Sequence, residues 1–161
     1  MNEYVSGFLF SFDLQEVLLI QKAHFPQKDK WVAPGGLVTA GAGVYISMEL
    51  RFTDDTGVVI PAKHWHCFAT KQYGESSKFY YFATFGDWIK KFPLLWPEKD
   101  SYLCRHNYID LAFESGADYK YDTKNLIDIV LSEMRNNSFM RLNPEGVNSW
   151  KIQKPTAKSG S

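Results

Sequence analysis

The chain has 161 residues with 18 basic and 18 acidic side chains, and its formal net charge of zero excludes an overall attraction to nucleic acid or to an anionic membrane. Hydrophobic residues make up 45% and aromatic residues 16%, which excludes disorder for the body of the chain and predicts one domain with a core rich in Phe and Tyr. The sequence has no apolar run of membrane-spanning length and no basic start typical of a signal peptide. Its two cysteines, Cys67 and Cys104, make no disulfide framework, so we expect a soluble cytoplasmic protein.

Two apolar segments open the chain and are predicted to form a hairpin. Residues 4–12 (YVSGFLFSF) are rich in aromatic and β-branched residues, and residues 17–22 (VLLIQK) resume this pattern after a short break. Both segments are apolar on both faces, which favours strands in a sheet that is covered on each side. The polar residues 23–30 contain Pro26 and predict a loop.

Residues 31–59 predict a strand, a loop, a helix and a second strand in succession. The first strand takes residues 31–33 and is followed by a Pro-Gly-Gly turn and a loop with two further glycines. The helix ends at about residue 56, and Gly57 opens the next strand.

The spacing of this unit resembles the Nudix box, Gly-x5-Glu-x7-Arg-Glu-U-x-Glu-Glu-x-Gly-U, in which U is a bulky aliphatic residue. With Gly57 as the anchor, the matching positions are Gly36, Phe52, Asp54, Asp55 and Val58. Three charged positions of the box differ, and Ala42, Leu50 and Arg51 stand there in place of Glu, Arg and Glu, respectively. The resemblance implies an α/β fold, a Nudix-like α/β/α sandwich with a mixed β-sheet.

Arg51 replaces a residue that is central to the chemistry of the family. In Nudix hydrolases this Glu and the adjacent acids bind Mg²⁺ and help to activate the water that cleaves a nucleoside diphosphate linked to another group. Residues three and four apart share a helix face, so Arg51 is predicted to pair with Asp54 and Asp55 where a metal would lie. Glu49 is rotated by roughly 160° from Arg51 around the helix and should miss the site.

Two more strands are predicted after the box, at residues 58–73 and 78–85, with a turn at residues 74–77. Aromatic residues occupy both faces of the second strand, which therefore should be central in the sheet. A nucleotide base could stack on one of these rings, because nucleotide sites often combine an aromatic plane with a phosphate pocket. Most of the rings should simply belong to the core.

Residues 86–122 follow an irregular pattern and are interpreted as a long insertion. Such a length of loop inside a compact domain is more often functional than not. The family resemblance implies that this region supplies a further metal ligand and substrate-selecting contacts. The candidate acids are Glu98, Asp100 and Glu114.

Residues 123–137 give the clearest helix pattern in the chain. Asp122 or Thr123 can cap this helix, and its apolar stripe is formed by Leu126, Ile127, Val130 and Met134. The helix should cover one face of the sheet and close a Nudix-like domain of residues 1–137. Residues 138–161 predict a polar C-terminal extension, whose end is disordered or left over from cloning.

Histidines and cysteines offer a second, weaker hypothesis. His64 and His66 are predicted to share one face of a strand, and Cys104 and His106 repeat the same spacing. These spacings match no common zinc signature, so strand histidines and a buried thiol explain them better. Cys67 lacks a base on its own strand face, because His66 points to the opposite side.

The resemblance implies a nucleotide or a nucleoside diphosphate derivative as the ligand. The candidate phosphate-binding residues are Lys22, Gly35, Gly36 and Arg51, and Asp54 and Asp55 are candidate metal ligands only if metal binding is retained. Catalytic residues remain unassigned. We favour a binding protein in which hydrolysis is weak or lost because the box Glu is Arg51.

An active Mg²⁺-dependent hydrolase of nucleoside diphosphate-linked substrates is the alternative. It would use Asp54, Asp55 and an acid from residues 86–122. A protein-interaction role for the aromatic insertion stays open, although no particular motif suggests one.

Overall fold

The computed structural model describes residues 1–21, 30–86, 105–110, 119 and 122–135. The strands are β1 (Asn2–Phe10), β2 (Glu16–Gln21), β3 (Trp31–Val32), β4 (Gly35–Leu37), β5 (His66–Tyr73), β6 (Ser77–Phe85) and β7 (Arg105–Asp110). The helices are α1 (Gly43–Thr56) and α2 (Thr123–Arg135), with a 3₁₀ turn at Ala62–His64. None of the helices in these ranges is long and apolar enough to cross a membrane.

A mixed seven-stranded sheet forms the centre of the described part of the chain. Its strand order is β3-β2-β1-β6-β5, and β7 pairs with β2. β1 and β6 are parallel and paired along their whole length, whereas the β1–β2 and β5–β6 pairs are antiparallel. The predicted opening hairpin and the predicted central position of β6 are therefore confirmed.

The sheet forks at β1, because two strands share one edge of it. β2 pairs with the end of β1, where Leu9 lies opposite Leu18. β4 pairs with the beginning of β1, where Ser6 lies opposite Gly35. The chain passes between the two branches at Ala33 and Pro34, and the amide of Gly7 donates to the carbonyl of Pro34 at 2.9 Å. A gap thus opens in the sheet at this point.

Among the described residues, each face of the sheet carries one helix and one apolar core, because side chains alternate along a strand. The α1 core contains Val5, Leu9, Leu18, Met48, Phe52, Ile60, Trp65 and Phe82. The α2 core contains Phe8, Phe10, Val17, Leu19, Ala33, Tyr81, Ala83, Phe85, Leu126, Ile127, Val130 and Met134. This arrangement confirms the α/β/α sandwich and the apolar stripe predicted for α2.

The strand predicted at residues 58–73 is wrong in its first half. β5 begins only at His66, and a 3₁₀ turn precedes it, closed by the amide of Trp65 on the carbonyl of Ala62 at 3.1 Å. Pro61 has no N–H to give to a sheet ladder and leads into the turn instead. His64 therefore lies in the turn and shares no strand face with His66.

The Pro-Gly-Gly turn is a second correction. Gly35 and Gly36 belong to β4, and Gly35 approaches β1 so closely that an added Cβ would overlap the carbonyl oxygen of Val5. A glycine pair thus marks close strand contact here instead of a turn. Gly57 ends α1 with φ 75°, as the helix pattern predicted, but it does not open a strand.

Candidate functional site

The loop before α1 is held by hydrogen bonds to the first turns of the helix. The amide of Thr39 donates to Oγ of Ser47 at 2.9 Å, and that hydroxyl donates to the carbonyl of Gly43 at 2.6 Å. Ser47 is fully buried, so its hydroxyl fixes the loop from inside. Gly41 and Gly43 both have φ +78°, a region that favours glycine.

Arg51 joins this loop to the last turns of α1. Its Nη1 lies 2.9 Å from Oδ2 of Asp54, and its Nη2 donates to Oγ1 of Thr39 at 2.7 Å. The side chain of Arg51 is 32% exposed and that of Asp54 is 60% exposed. The ion pair predicted between residues three apart is therefore present, and the contact with Thr39 adds a second anchor.

The inner part of the Arg51 side chain packs beside β4. A Cβ added to Gly36 would lie 3.0 Å from Cδ of Arg51. The Nε–H group is buried and has no acceptor among the described residues. A buried N–H without a partner costs free energy, so this Nε–H lowers the stability that Arg51 contributes.

Asp55 turns toward β4, on the other side of the box. Its Oδ2 accepts the amide N–H of Gly35 at 3.0 Å. Asp54 and Asp55 are adjacent in sequence but have different partners, because successive helix residues point about 100° apart. Asp55 therefore reaches the gap in the sheet, whereas Asp54 stays at the exposed end of Arg51.

A cleft of about 520 Å³ opens at the fork, on the α2 face of the sheet. The described residues that line it are Tyr4, Val5, Ser6, Phe8, Ile20, Val32, Ala33, Gly35, Gly36, Asp55, Tyr73, Ser77, Phe79, Tyr81, Asp122, Thr123 and Leu126. It crosses the strands β4, β1, β6 and β5, which at normal strand spacing corresponds to roughly 14 Å. Its volume lies within the range of small-molecule sites.

Aromatic rings line the middle of the cleft. Tyr4 and Phe79 stack with their centroids 4.7 Å apart, and Tyr81 stacks on Phe79 at 5.9 Å. Tyr73 meets Phe79 edge to face at 5.2 Å. Such a surface can bind the flat face of a base or sugar ring.

A polar network closes the β5 end of the cleft. Oδ2 of Asp122 accepts from Nζ of Lys71 at 2.7 Å and from the hydroxyl of Tyr73 at 3.1 Å. The hydroxyls of Tyr73 and Tyr81 lie 3.2 Å apart. The hydrogen bonds from Lys71 and Tyr73 lower the pKa of Asp122, whereas burial raises the pKa of Tyr81. Asp122 is therefore a carboxylate at neutral pH.

The predicted phosphate-binding residues come together only in part. Gly35 and Gly36 line the cleft, but Arg51 is not among its lining residues and lies behind Gly36. Lys22 lies outside the described residues, as do the candidate acids Glu98, Asp100 and Glu114.

The remaining candidates take structural positions. Glu49 misses the site as predicted, and its Oε1 accepts the amide of Ala62 at 2.8 Å. His66 is buried, and burial raises the pKa of the Cys67 thiol. Cys104 lies outside the described residues, and for His106 only the strand position in β7 is described.

Sequence reasoning missed Lys71 as a site residue and treated Asp122 only as a helix cap. Lys71 and Asp122 are separated by 51 positions in the chain. No local pattern links residues so far apart, and only the packing of α2 against the sheet brings them together.

The described residues do not by themselves fit a divalent cation. No group of three or more His, Cys, Asp or Glu side chains among them is placed to hold a metal. Asp54 is engaged by Arg51, and Asp55 by the amide of Gly35. Mg²⁺ is usually bound through one or two carboxylates together with waters and substrate phosphates, so Asp54 could serve as a ligand only after it releases Arg51.

Neither a protein-family model nor a curated protein matches the sequence. Solved structures do match. A MutT/nudix family protein from Enterococcus faecalis superimposes with a TM-score of 0.60 at 16% identity, over 92% of this chain and 67% of that chain. The NUDIX domain of Shewanella oneidensis NrtR, a cocrystal with ADP ribose, gives a TM-score of 0.66 at 18% identity, over 82% and 87%.

A third structure is a bifunctional NMN adenylyltransferase/ADP ribose pyrophosphatase from Francisella tularensis, complexed with AMP and a manganese ion. It gives a TM-score of 0.61 at 15% identity, over 82% of this chain but only 41% of that chain. Likeness at such low identity establishes the fold. The chain therefore has the Nudix fold, as the resemblance of residues 36–58 implied.

Proposed function

We propose that this Nudix-fold protein binds a nucleotide or a nucleoside diphosphate derivative and hydrolyses it weakly or not at all. The observation that carries the proposal is the placement of Arg51, whose guanidinium is fixed by Asp54 and Thr39 at the box position of a metal-binding Glu. The NUDIX domain of NrtR was crystallised with ADP ribose, and the bifunctional Francisella protein was crystallised with AMP and manganese, which supports this class of ligand.

The cleft suits such a ligand in its middle and at its β4 end. The rings of Tyr4 and Phe79 offer an apolar surface for the base. Arg51 carries five N–H donors, of which two serve Asp54 and Thr39 in the described structure. We assign the remaining N–H of each Nη atom, beside the β4 end of the cleft, together with Lys22 and the backbone of Gly36, to phosphate oxygens, since the planar guanidinium matches phosphate geometry.

Weak hydrolysis follows from the missing carboxylate. Loss of a positioned general base costs about 10²- to 10⁴-fold in rate. Loss of a metal's Lewis acidity removes several further kcal/mol of transition-state stabilisation. A cation at position 51 also repels a divalent ion, so the site is built for holding phosphate rather than for cleaving it. We expect the protein to act in the cytoplasm.

A Mg²⁺-dependent hydrolase is the second candidate, and the position of Asp55 in the cleft favours it. Asp55 lines the cleft and accepts the amide of Gly35, and an acid from residues 86–122 could join it and Asp54 around a metal. In that case Arg51 would have to release Asp54.

The test is a pair of calorimetric titrations with ADP-ribose and with Mg²⁺, together with an assay for release of AMP and ribose 5-phosphate from ADP-ribose. Wild-type protein should bind ADP-ribose, show no Mg²⁺ site and release little product. Arg51→Glu restores a carboxylate and should increase Mg²⁺ affinity, while the neutral control Arg51→Gln should not. Rapid hydrolysis by the wild type, abolished in Arg51→Glu, would overturn the proposal in favour of the hydrolase.

A further inference from the structure

We propose that Asp122 binds the vicinal hydroxyls of a ribose, so that the β5 end of the cleft selects ribonucleotides over deoxyribonucleotides. This inference rests on the proposed function and deepens it. It assigns the nucleoside to the Asp122 end of the cleft and the phosphates to the Gly36 end.

The geometry of Asp122 leaves one oxygen for a ligand. Both of its described hydrogen bonds, from Lys71 and Tyr73, go to Oδ2. The carboxylate is thus held in one orientation, and it lines the cleft. Among the described residues no donor is recorded on Oδ1, which can accept a hydrogen bond from a molecule in the cleft.

An ionised carboxylate only accepts hydrogen bonds, so it needs O–H or N–H groups from its ligand. A ribose presents two adjacent hydroxyls, and an acidic side chain that accepts from a ribose hydroxyl is a recurrent means of recognition in nucleotide-binding folds. A phosphate group is anionic at neutral pH and is therefore repelled by the same charge. Asp122 therefore orients a nucleotide with its phosphates away from β5.

Neighbouring side chains match this orientation. Ser77 and Thr123 also line the cleft, and Thr123 follows Asp122 in the chain. The ring of Phe79 lies between Tyr4 and Tyr73 and offers an adjacent apolar surface for the sugar or base. The cleft then extends across β6 and β1 to Gly36, beside which Arg51 lies.

Three variants separate a ribose contact from a structural role of the Lys71–Asp122 pair. Lys71→Met removes the ion pair but keeps the carboxylate and the hydrogen bond from Tyr73. Asp122→Ala removes the carboxylate. Asp122→Asn keeps the shape and one acceptor oxygen, and it serves as the second variant should Asp122→Ala not fold.

The experiment measures Kd by calorimetry for ADP, GDP, CDP and UDP and for their 2′-deoxy counterparts, in EDTA so that no substrate is turned over. We define the sugar ratio as the Kd of the 2′-deoxy form divided by the Kd of the ribonucleotide, for the nucleotide that binds most tightly. For wild-type protein we expect this ratio to be about 10 to 100, as for a hydrogen bond to a charged group. The ratio should fall to about one in Asp122→Ala and fall only partly in Asp122→Asn and in Lys71→Met, since Lys71→Met keeps the carboxylate but loses one of the two hydrogen bonds that orient it.

The outcomes are distinct. Equal binding of both sugars by wild-type protein, or an equal loss of the ratio in Lys71→Met and Asp122→Ala, overturns the ribose contact but leaves the proposed function standing. Absence of binding for every nucleoside diphosphate, together with absence of ADP-ribose binding, overturns both.

Discussion

The buried imidazole of His66 gives the described part of the chain an acid-sensitive point away from the cleft. His66 begins β5 and is only 4% exposed. Burial lowers its pKa from an ordinary value near 6.5 to about 4. The charged form is disfavoured because the side chain has lost its contact with water, so His66 is neutral in the folded protein at pH 7.

Stability should therefore fall as the pH decreases from about 6.5 toward 4. The unfolded chain binds a proton at His66 before the folded protein does, so protonation pulls the equilibrium toward unfolding. The contribution of His66 is complete above pH 6.5 and is lost as the pH approaches 4. We expect a loss of about 2 kcal/mol in the free energy of unfolding between pH 7 and pH 4.5, measured by urea denaturation.

The matched variants for this prediction are His66→Gln and His64→Gln. His66→Gln should flatten the pH dependence, although it lowers stability at pH 7. His64 is half-buried, and its substitution should change the dependence less. Identical pH profiles for wild-type protein and His66→Gln would show that His66 does not titrate as inferred.

At the same scale, the sequence predicted local contacts and missed distant ones. The Arg51–Asp54 pair follows from helix periodicity and is present. The hydrogen bond from Gly35 to Asp55 spans 20 positions, and it depends on β4 pairing with β1. Periodicity carries no information about such contacts, so the position of Asp55 in the cleft could not be predicted from the sequence.

Among the elements, β4 has the tightest packing requirement. Gly35 faces the backbone of β1, whereas Gly36 faces the flexible stem of Arg51. A backbone neighbour cannot move without separating the strands, but a side-chain methylene can. An added methyl group should therefore lower the free energy of unfolding more at Gly35 than at Gly36.

Gly35→Ala should destabilise the protein by about 2 to 4 kcal/mol, because the methyl group overlaps the carbonyl of Val5 and forces β4 from β1. Gly36→Ala should cost less than about 1 kcal/mol, since Arg51 can shift. Urea denaturation of both variants measures the difference. Equal costs for the two substitutions would contradict the packing described for β4.

Arg51→Ala supplies the control in a double-mutant cycle with Gly36→Ala. Removal of the Arg51 stem should cancel the cost of the methyl group at Gly36 and leave the cost at Gly35 unchanged. If Arg51→Ala instead reduced the cost of Gly35→Ala and left the cost of Gly36→Ala unchanged, then Gly35, and not Gly36, would be the glycine that packs against Arg51.

Patterns identified the elements better than their boundaries. The end of α1 at Gly57 and the apolar stripe of α2 follow from local rules. The beginning of β5 did not, because residues 58–65 have the composition of a strand while Pro61 and the bond from Ala62 to Glu49 favour a turn. The amino-acid composition reports only hydrophobicity. The turn is determined by Pro61, which has no N–H, and by the hydrogen bond of Ala62 to Glu49 on α1.

For the whole molecule, one sheet serves two cores. β1 contributes Val5 and Leu9 to the α1 core and Phe8 and Phe10 to the α2 core. A strand shared in this way couples both layers, so unfolding of one exposes the other. We expect a single cooperative unfolding transition. The fold itself followed from the sequence because the box spacing and the apolar periodicities agree with one another.

The proposed domain boundary at residue 137 can be tested by shortening the chain. Met134, near the end of α2, is still buried in the α2 core. Residues 138–161 are polar, with single apolar anchors such as Phe139 and Trp150. A chain of residues 1–137 should therefore keep its free energy of unfolding within about 1 kcal/mol of the full-length value.

A chain that ends after Val130 is the control. It lacks Met134 and the last turn of α2, and its free energy of unfolding should be lower by about 2 to 5 kcal/mol. Urea denaturation of the three proteins distinguishes the cases. A loss after residue 137 as large as that after Val130 would mean that the domain extends into the C-terminal segment.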